Sequence, residues 1–584
     1  TEIPQQGTSK GLKLFYPNIP QTNFSKIPSS PIAYWVSENA LRMFNWNGTG
    51  DYALPQTGLQ TSDNKRFVRL WSEVNYNHIF FNCKDISETK NSNLKWYPYN
   101  KGGTHKWAGD HEFLVNWQND GKELREFNSY LNSTRTSSIG IGSTEYFFKE
   151  GVTIKKVGSG GFGARYLNSG YIFDAGGSVF FCDNPEVLVA LLNSKISSYI
   201  LTVLNPTVNF QVGDIKKIPF HPDLNNREDL IKLEKETYDF SILDWNSREV
   251  SWDFEKSTLL NEKPSLSDAY QTWREQVTQN FFQLHANEEE LNRIFINLYG
   301  LQDELTHEVA LKDITILQDE LDKKELEAIE PVFREHGIDA INLPIDRAEV
   351  IGQFLSYGVG LFMGRYRLDK PGLNIAHPNP SEVELADYTF NGKSIAIDED
   401  GILPLMGEDS AFPDDVVLRT RELIYAIWGE DSLTENINFI HEALGMDLHK
   451  WFTEKFWKFH TDMYKKKPIY WLFSSNIKSP QKAAFKVLVY MHRMDKYTVQ
   501  KIQRNYLHPH QEYIKKEIES LVKNEENLNK QEIKQLEKLR NWELECRDYN
   551  EVLKQLAVQE IEFDLDDGVS VNYEKFEGAL AVIK

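Results

Sequence analysis

Polar and apolar positions alternate with a period of two at 207–214, and apolar residues recur at three- and four-residue spacing from about 265 onward. The segment 151–182 reads as β-hairpins: strand-like Gly151–Val157, a glycine cluster at Gly158, Gly160, Gly161 and Gly163, then strand and turn material. Leu191, Leu192, Ile196, Tyr199, Ile200 and Val203 recur at helical spacing and predict an amphipathic helix. Asn205-Pro206 stops it, because the residue before a proline is pushed out of the helical region. Beyond it Thr207, Asn209, Gln211 and Asp214 alternate with Val208, Phe210 and Val212, which predicts a polar strand running to Lys216, Lys217 and Pro219.

Around this stretch the rest falls into place. Residues 1–57 are Pro-, Asn- and Gly-rich, a lead-in with one short helix at SENALRMF for which Ser37 is the N-cap. Residues 226–264 hold a linker helix and an aromatic-rich segment. From 265 to 510 the pattern is helical, with Gly300 breaking or capping a helix and Gly358, Gly360 and Gly364 allowing close packing. A small β-hairpin insertion is expected at 390–415 and an apolar strand pair within 465–493. Residues 511–584 begin as a helical hairpin or short coiled coil and end in an acidic tail. The fold class expected is α+β, a β-rich domain at 58–225 followed by a mainly helical C-terminal region.

Composition narrows the class. With 584 residues, 40% hydrophobic and 13% aromatic, the chain suits packed globular domains. No window is apolar enough to span a membrane, and the N-terminus has no basic-then-apolar leader, so no membrane association is expected. The chain starts without Met, which led us to expect part of a longer protein. Cys83, Cys182 and Cys546 lie far apart without a CxxC pair, which fits a reducing cytoplasm and argues against a zinc site or a disulfide framework. The net charge of −21 argues against a polyanionic partner until its distribution is seen. Residues 1–220 hold 22 Lys and Arg against 18 Asp and Glu, whereas the remainder holds 43 against 68. The acid is concentrated in the C-terminal part, and the N-terminal part is free to meet nucleic acid.

Candidate chemistry follows that asymmetry. Arg66 and Arg69, three apart, would share a helix face and offer guanidinium forks to phosphate, or simply start a solvated helix. Lys101, Gly102, Gly103, His105, Lys106 and Trp107 make a cationic turn in which glycines allow close backbone approach; the alternative is a surface hairpin. Lys155, Lys156, Ser159 and Arg165 surround the glycine cluster. Its GSGGFG string fits a dinucleotide fingerprint loosely, but the residues after it are strand-like and the fingerprint requires a helix there. Asn209 and Gln211 complete the set. His105 has no metal-type neighbour. Glu288, Glu289 and Glu290 read as a solvated face, Arg365, Arg367 and Lys370 as a basic patch. Asp398, Glu399, Asp400, Glu408 and Asp409 do not have EF-hand spacing. No metal-nuclease spacing and no Gly-x-Ser-x-Gly elbow are present.

Several strings carry a resemblance to a known family. SPIAYWVSENA, TGLQTSDNKRFVRLW, KWYPYNKGGTHKWAG, LNPTVNFQVGDIKKIP and KPIYWLFSSNIKSPQKAAFKVLVYMHRMD resemble the PglX family. These are adenine-specific DNA methyltransferases of BREX phage-exclusion systems. The resemblance implies a target-recognition domain at 58–225, double-stranded DNA as partner, other BREX-system proteins as further partners, and S-adenosylmethionine as cofactor of the full-length enzyme. It implies DNA contact through Arg66, Arg69, Lys101, Lys106, Lys155, Lys156, Ser159, Arg165, Asn209 and Gln211. Adenine methylation also needs a Pro-Pro-aromatic turn at the flipped base. The chain has no Pro-Pro dipeptide and no strand–acidic–Gly-x-Gly–helix stretch. No catalytic, cofactor-binding or metal residue is therefore assigned, and the chain reads as the recognition half. The alternative is a protein-interaction scaffold, docking other defence subunits through its acidic and coiled-coil-like parts.

Overall fold

A computed structural model describes residues 20–134, 140–154, 162–205, 211–407, 412–523 and 528–584. It is 52% helix and 12% strand, in several small sheets, so the α+β expectation holds. The chain divides into two compact units, each assembled from separate pieces. The first takes residues 1–68, 80–245 and 277–344; the second takes 69–79, 246–276 and 345–584. The expected recognition segment, 58–225, thus lies in the first unit except for residues 69–79.

The first unit is built on an antiparallel sheet in the order Leu54–Gln56, Val179–Phe181, Gly151–Ile154 and Ala164–Leu167. The last two form the expected hairpin. Trp96–Asn100 pairs antiparallel with Phe113–Asn116 and parallel with Ile172–Phe173. Every residue of Gly151–Ile154 and of Trp96–Asn100 is buried, which is why neither shows a solvent-facing alternation. The helices Pro185–Asn193 and Lys195–Leu204 bury Leu188, Leu191, Ile196 and Ile200 in one core with Val152, Phe180, Leu230, Leu291 and Phe295. Ser37 caps Glu38–Met43 as expected, its hydroxyl accepting from the Ala40 N–H at 3.1 Å.

The single helix expected over 191–203 is broken. Ser194 is extended (φ −75°, ψ 160°), and the two helices meet at 68°. Polar groups hold the break: the Ser194 and Ser197 hydroxyls both donate to the Leu191 carbonyl, and Asn292 accepts from the Lys195 N–H at 2.8 Å. Among the described residues no single helix is long and apolar enough to cross a membrane; the bent pair passes by length and composition, but its apolar residues form the core. The polar strand expected after Pro206 is also revised. Thr207, Val208, Asn209 and Phe210 lie outside the described residues, and Val212–Ile215 is a short helix entered from Gln211.

The second unit centres on an antiparallel sheet of Ile402–Pro404, Lys486–Tyr490 and Tyr470–Ser474, the last two being the expected apolar strand pair. Helix Arg347–Phe362 is buried from Val350 onward except at the half-buried Gln353. Its glycines are contact points: a Cβ on Gly360 would lie 2.6 Å from the Tyr366 ring. The hairpin expected at 390–415 is instead Tyr388–Phe390/Lys393–Ile395, with Ile402–Pro404 taken into the central sheet, and the helices His508–Val522 and Lys530–Gln559 pair.

Arg365 does not join a surface basic patch. It is wholly buried, with Nε on the Tyr366 hydroxyl at 3.1 Å and a terminal nitrogen on the Tyr490 hydroxyl at 2.9 Å. The Trp71 ring lies 5.1 Å from its guanidinium carbon. Glu249 is buried nearby, and burial pushes its carboxyl up to about 7 against the pull of Arg365.

Candidate nucleic-acid interface

The candidate residues separate into four places. Arg66 and Arg69 do not share a helix face, because the helix is one turn, Asn64–Phe67, and Val68–Leu70 is a strand. Asp63 caps that turn through the Arg66 N–H at 3.1 Å. The Arg66 guanidinium meets Glu123 at 2.7 Å, with both side chains about half exposed, and it lies 5.0 Å from the Phe127 ring centre. Arg69 belongs to the second unit, where it donates to the Asp567 carbonyl at 2.9 Å. Gln211 is exposed; its N–H donates to Asp214, whose carboxylate also accepts from Asn205 at 2.9 Å. One carboxylate therefore ties together the two ends of the 206–210 segment.

The fourth place is the end of the first unit's strands. Asn100 closes Trp96–Asn100, and its amide donates to the Thr153 hydroxyl at 2.7 Å in the neighbouring strand Gly151–Ile154. The chain leaves Trp96–Asn100 at Lys101, directly after the residue that is bonded to Thr153. The turn at Gly177 is adjacent too, since a Cβ there would lie 3.3 Å from the Gly102 nitrogen. Lys101 itself sits with its ammonium 5.4 Å from the Phe113 ring centre. Lys155, Lys156 and Ser159 fall outside the described residues, as does Asn209.

The loop that begins at Lys101 packs on a buried ionic pair. The Asp110 carboxylate accepts from Arg165, from the His105 backbone N–H at 3.0 Å, and pairs with His105 Nδ1 at 3.0 Å. Arg165 is 4% exposed, so its charge is spent inside the protein. Burial alone would raise the Asp110 carboxyl; Arg165 and His105 overcome that and hold it well below the usual carboxylate range. A side chain at Gly103 would collide with Asp110 and Arg165, so glycine is required there for close approach of the loop.

The loop is also anchored from outside the recognition segment. Glu288, 4% exposed on helix Leu266–Tyr299, accepts from the Trp107 indole at 2.8 Å and pairs with the Lys106 ammonium at 3.2 Å. Trp107 has φ +66°, an unusual conformation for a bulky residue, held by backbone bonds from its N–H to Ala164 and from Tyr166 to its carbonyl. Asn193 pairs with both backbone groups of Ala164 at 2.8 and 2.9 Å, fixing the hairpin's return strand to the helix end. The glutamate cluster is thus not a solvated face. Glu288 is buried, Glu289 pairs with Arg334 at 2.7 Å, and Glu290, paired with Arg293, is half-buried like Glu289.

Sequence reasoning missed Asp110, Asn100, Thr153, Asn193 and Glu288. Asp110 sits five residues past His105, and a short-range anchor was readable there. Glu288 lies 181 residues from its partner Trp107, and no local pattern points to it. Among the described residues no group of three or more His, Cys, Asp or Glu is placed to hold a metal ion.

No family model matches the chain. It is 34% identical over 596 residues to the adenine-specific methyltransferase BrxX of Escherichia coli O9:H4 (strain HS), covering 97% of this chain and 46% of that protein. It is 34% identical over 594 residues to the adenine-specific methyltransferase PglX of Lacticaseibacillus casei (strain Zhang), covering 96% of this chain and 45% of that protein. The chain spans slightly under half the length of either relative.

Proposed function

Because the chain belongs to the PglX family along nearly its whole length, we propose that it is the DNA-recognition and C-terminal portion of a BREX-type adenine-N6 DNA methyltransferase. In this reading it acts on double-stranded DNA in the cytoplasm, in phage defence, beside other BREX-system proteins. The observation that supports the DNA reading is the bond from Asn100 to Thr153, which sets the start of the Lys101 loop against the strand that precedes Lys155 and Lys156 in sequence.

Lys101, Lys155 and Lys156 contact phosphates, and Ser159, Asn209 and Gln211 meet base edges. Arg66 reaches phosphate by exchanging its exposed partner Glu123, a pairing of little worth in water. Arg69 is a further phosphate contact. Lys106 and Arg165 support the Lys101 loop through Glu288 and Asp110.

The residues described do not fit S-adenosylmethionine, the cofactor that such an enzyme implies. The glycine cluster at 158–163 leads into the strand Ala164–Leu167 and not into a helix whose N-terminus would receive a nucleotide. No methyl-transfer step is assigned to these residues.

Binding of the full chain to random-sequence duplex DNA across a salt series tests the reading. Affinity with a steep negative log–log slope is expected, and Lys101→Glu, Lys155→Glu and Lys156→Glu each lower that slope by about 1. Absence of binding at low salt, or a slope indifferent to all three changes, would remove DNA recognition from this part of the chain.

A further inference from the structure

In the second unit one phenol faces more acceptors than it has protons. The Tyr506 hydroxyl lies 3.0 Å from Asp400 Oδ1, 3.2 Å from Asp414 Oδ2 and 3.2 Å from the Ile402 carbonyl. A hydroxyl donates once. If it donates to one carboxylate, the other carboxyl must donate back to the phenol oxygen, and to do so it must carry a proton. With both ionised, acceptor faces acceptor.

Arg493 and Lys501 pull against the raised carboxyls, but burial outweighs them, and the hydrogen bonds of both cations go elsewhere. Asp398, next to this pair, has one oxygen occupied by the N–H groups of Gly401, Ile402 and Asp400 at 2.6, 3.0 and 3.2 Å. Arg493 spends its guanidinium on the backbone carbonyls of Met363, Asp398 and Glu399. Lys501 is paired with Asp495 at 2.9 Å. Asp415 is taken by the N–H groups of Met406, Gly407 and Val417, with His449 beyond it, and Glu399 is exposed. Residues 408–411 lie outside the described residues.

We infer that Asp398, Asp400, Asp414 and Tyr506 form a proton-binding latch. One shared proton ties the 398–402 loop to the π-helical turn Ile502–Leu507, and losing it sets the two apart. The inference does not depend on the DNA reading. Burial, then the neighbouring Asp400, pushes the Asp398 carboxyl up to about 7; burial also raises Asp400 and Asp414. Carboxyls raised in the folded state stabilise it fully below the unfolded value of about 3.9. For Asp398 that stabilisation is lost as pH rises through about 7. The latch is closed in mild acid and opens above neutrality.

The test is hydrogen exchange of the full chain between about pH 6 and about pH 8.5, corrected for the intrinsic exchange rate. Amides of 400–402 and 502–507 are expected to lose protection about tenfold per pH unit above the inflection. Asp414→Asn, whose amide donates to the phenol at any pH, is expected to weaken that dependence, the Asp398 and Asp400 pair still titrating. Three results would overturn the latch: wild-type protection that is flat with pH, an unchanged decline in Asp414→Asn, or an inflection displaced by added calcium, which would put a cation in the proton's place. The wild-type profile decides the matter even if the variant does not fold.

Discussion

Arg165 shows at the scale of one residue how charge can be read correctly and placed wrongly. The sequence marks it as a cation beside a glycine turn; the fold buries it on Asp110. Arg165→Met is expected to cost about 3–5 kcal/mol in denaturant unfolding, because it leaves a carboxylate buried without its counter-charge. Asp110→Asn added to Arg165→Met should recover much of that loss. The pH dependence has a definite sign. The Asp110 carboxyl is held below its usual range, so the pair's stabilisation is present at neutral pH and lost as acid approaches the folded value. Arg365 follows the same logic: tyrosine hydroxyls and an indole face that lie far apart in sequence make its burial possible. Single-residue burial was illegible wherever the partner is distant. It was legible where the partner is local, as at Ser37.

Elements were legible where their signals are local and continuous. The helix starting at Glu38, the hairpin at 151–167, and the paired helices after 508 all follow from caps, turns and periodicity. The break at Ser194 was missed because the apolar pattern runs through it unbroken; what ends the first helix is hydrogen bonding to Leu191 and Asn292. Small-residue spacing in Arg347–Phe362 did foretell close packing. Gly360→Ala is expected to lower the denaturant midpoint by about 1–3 kcal/mol of stability, the usual cost of overpacking. The added methyl would press on the Tyr366 ring, whose hydroxyl also holds Arg365. A midpoint equal to wild type would show that the ring gives way freely.

For the whole molecule, composition located the acid correctly, but contiguous segments do not coincide with compact units. The first unit needs residues 277–344, which supply Leu291 and Phe295 to the same core as Val152 and Leu191, and Glu288 to Trp107. A fragment of residues 58–225 is therefore expected to lack a cooperative unfolding transition, whereas 20–344 retains one; circular dichroism melts distinguish the two outcomes. The bond from Glu288 to Trp107 also reaches beyond folding. Recombination between related genes that exchanged 58–225 alone would give Lys106 and Trp107 a foreign acid to match, or none. The two stretches are bound to be inherited together, and a new specificity arriving by gene exchange must bring its own helix with it.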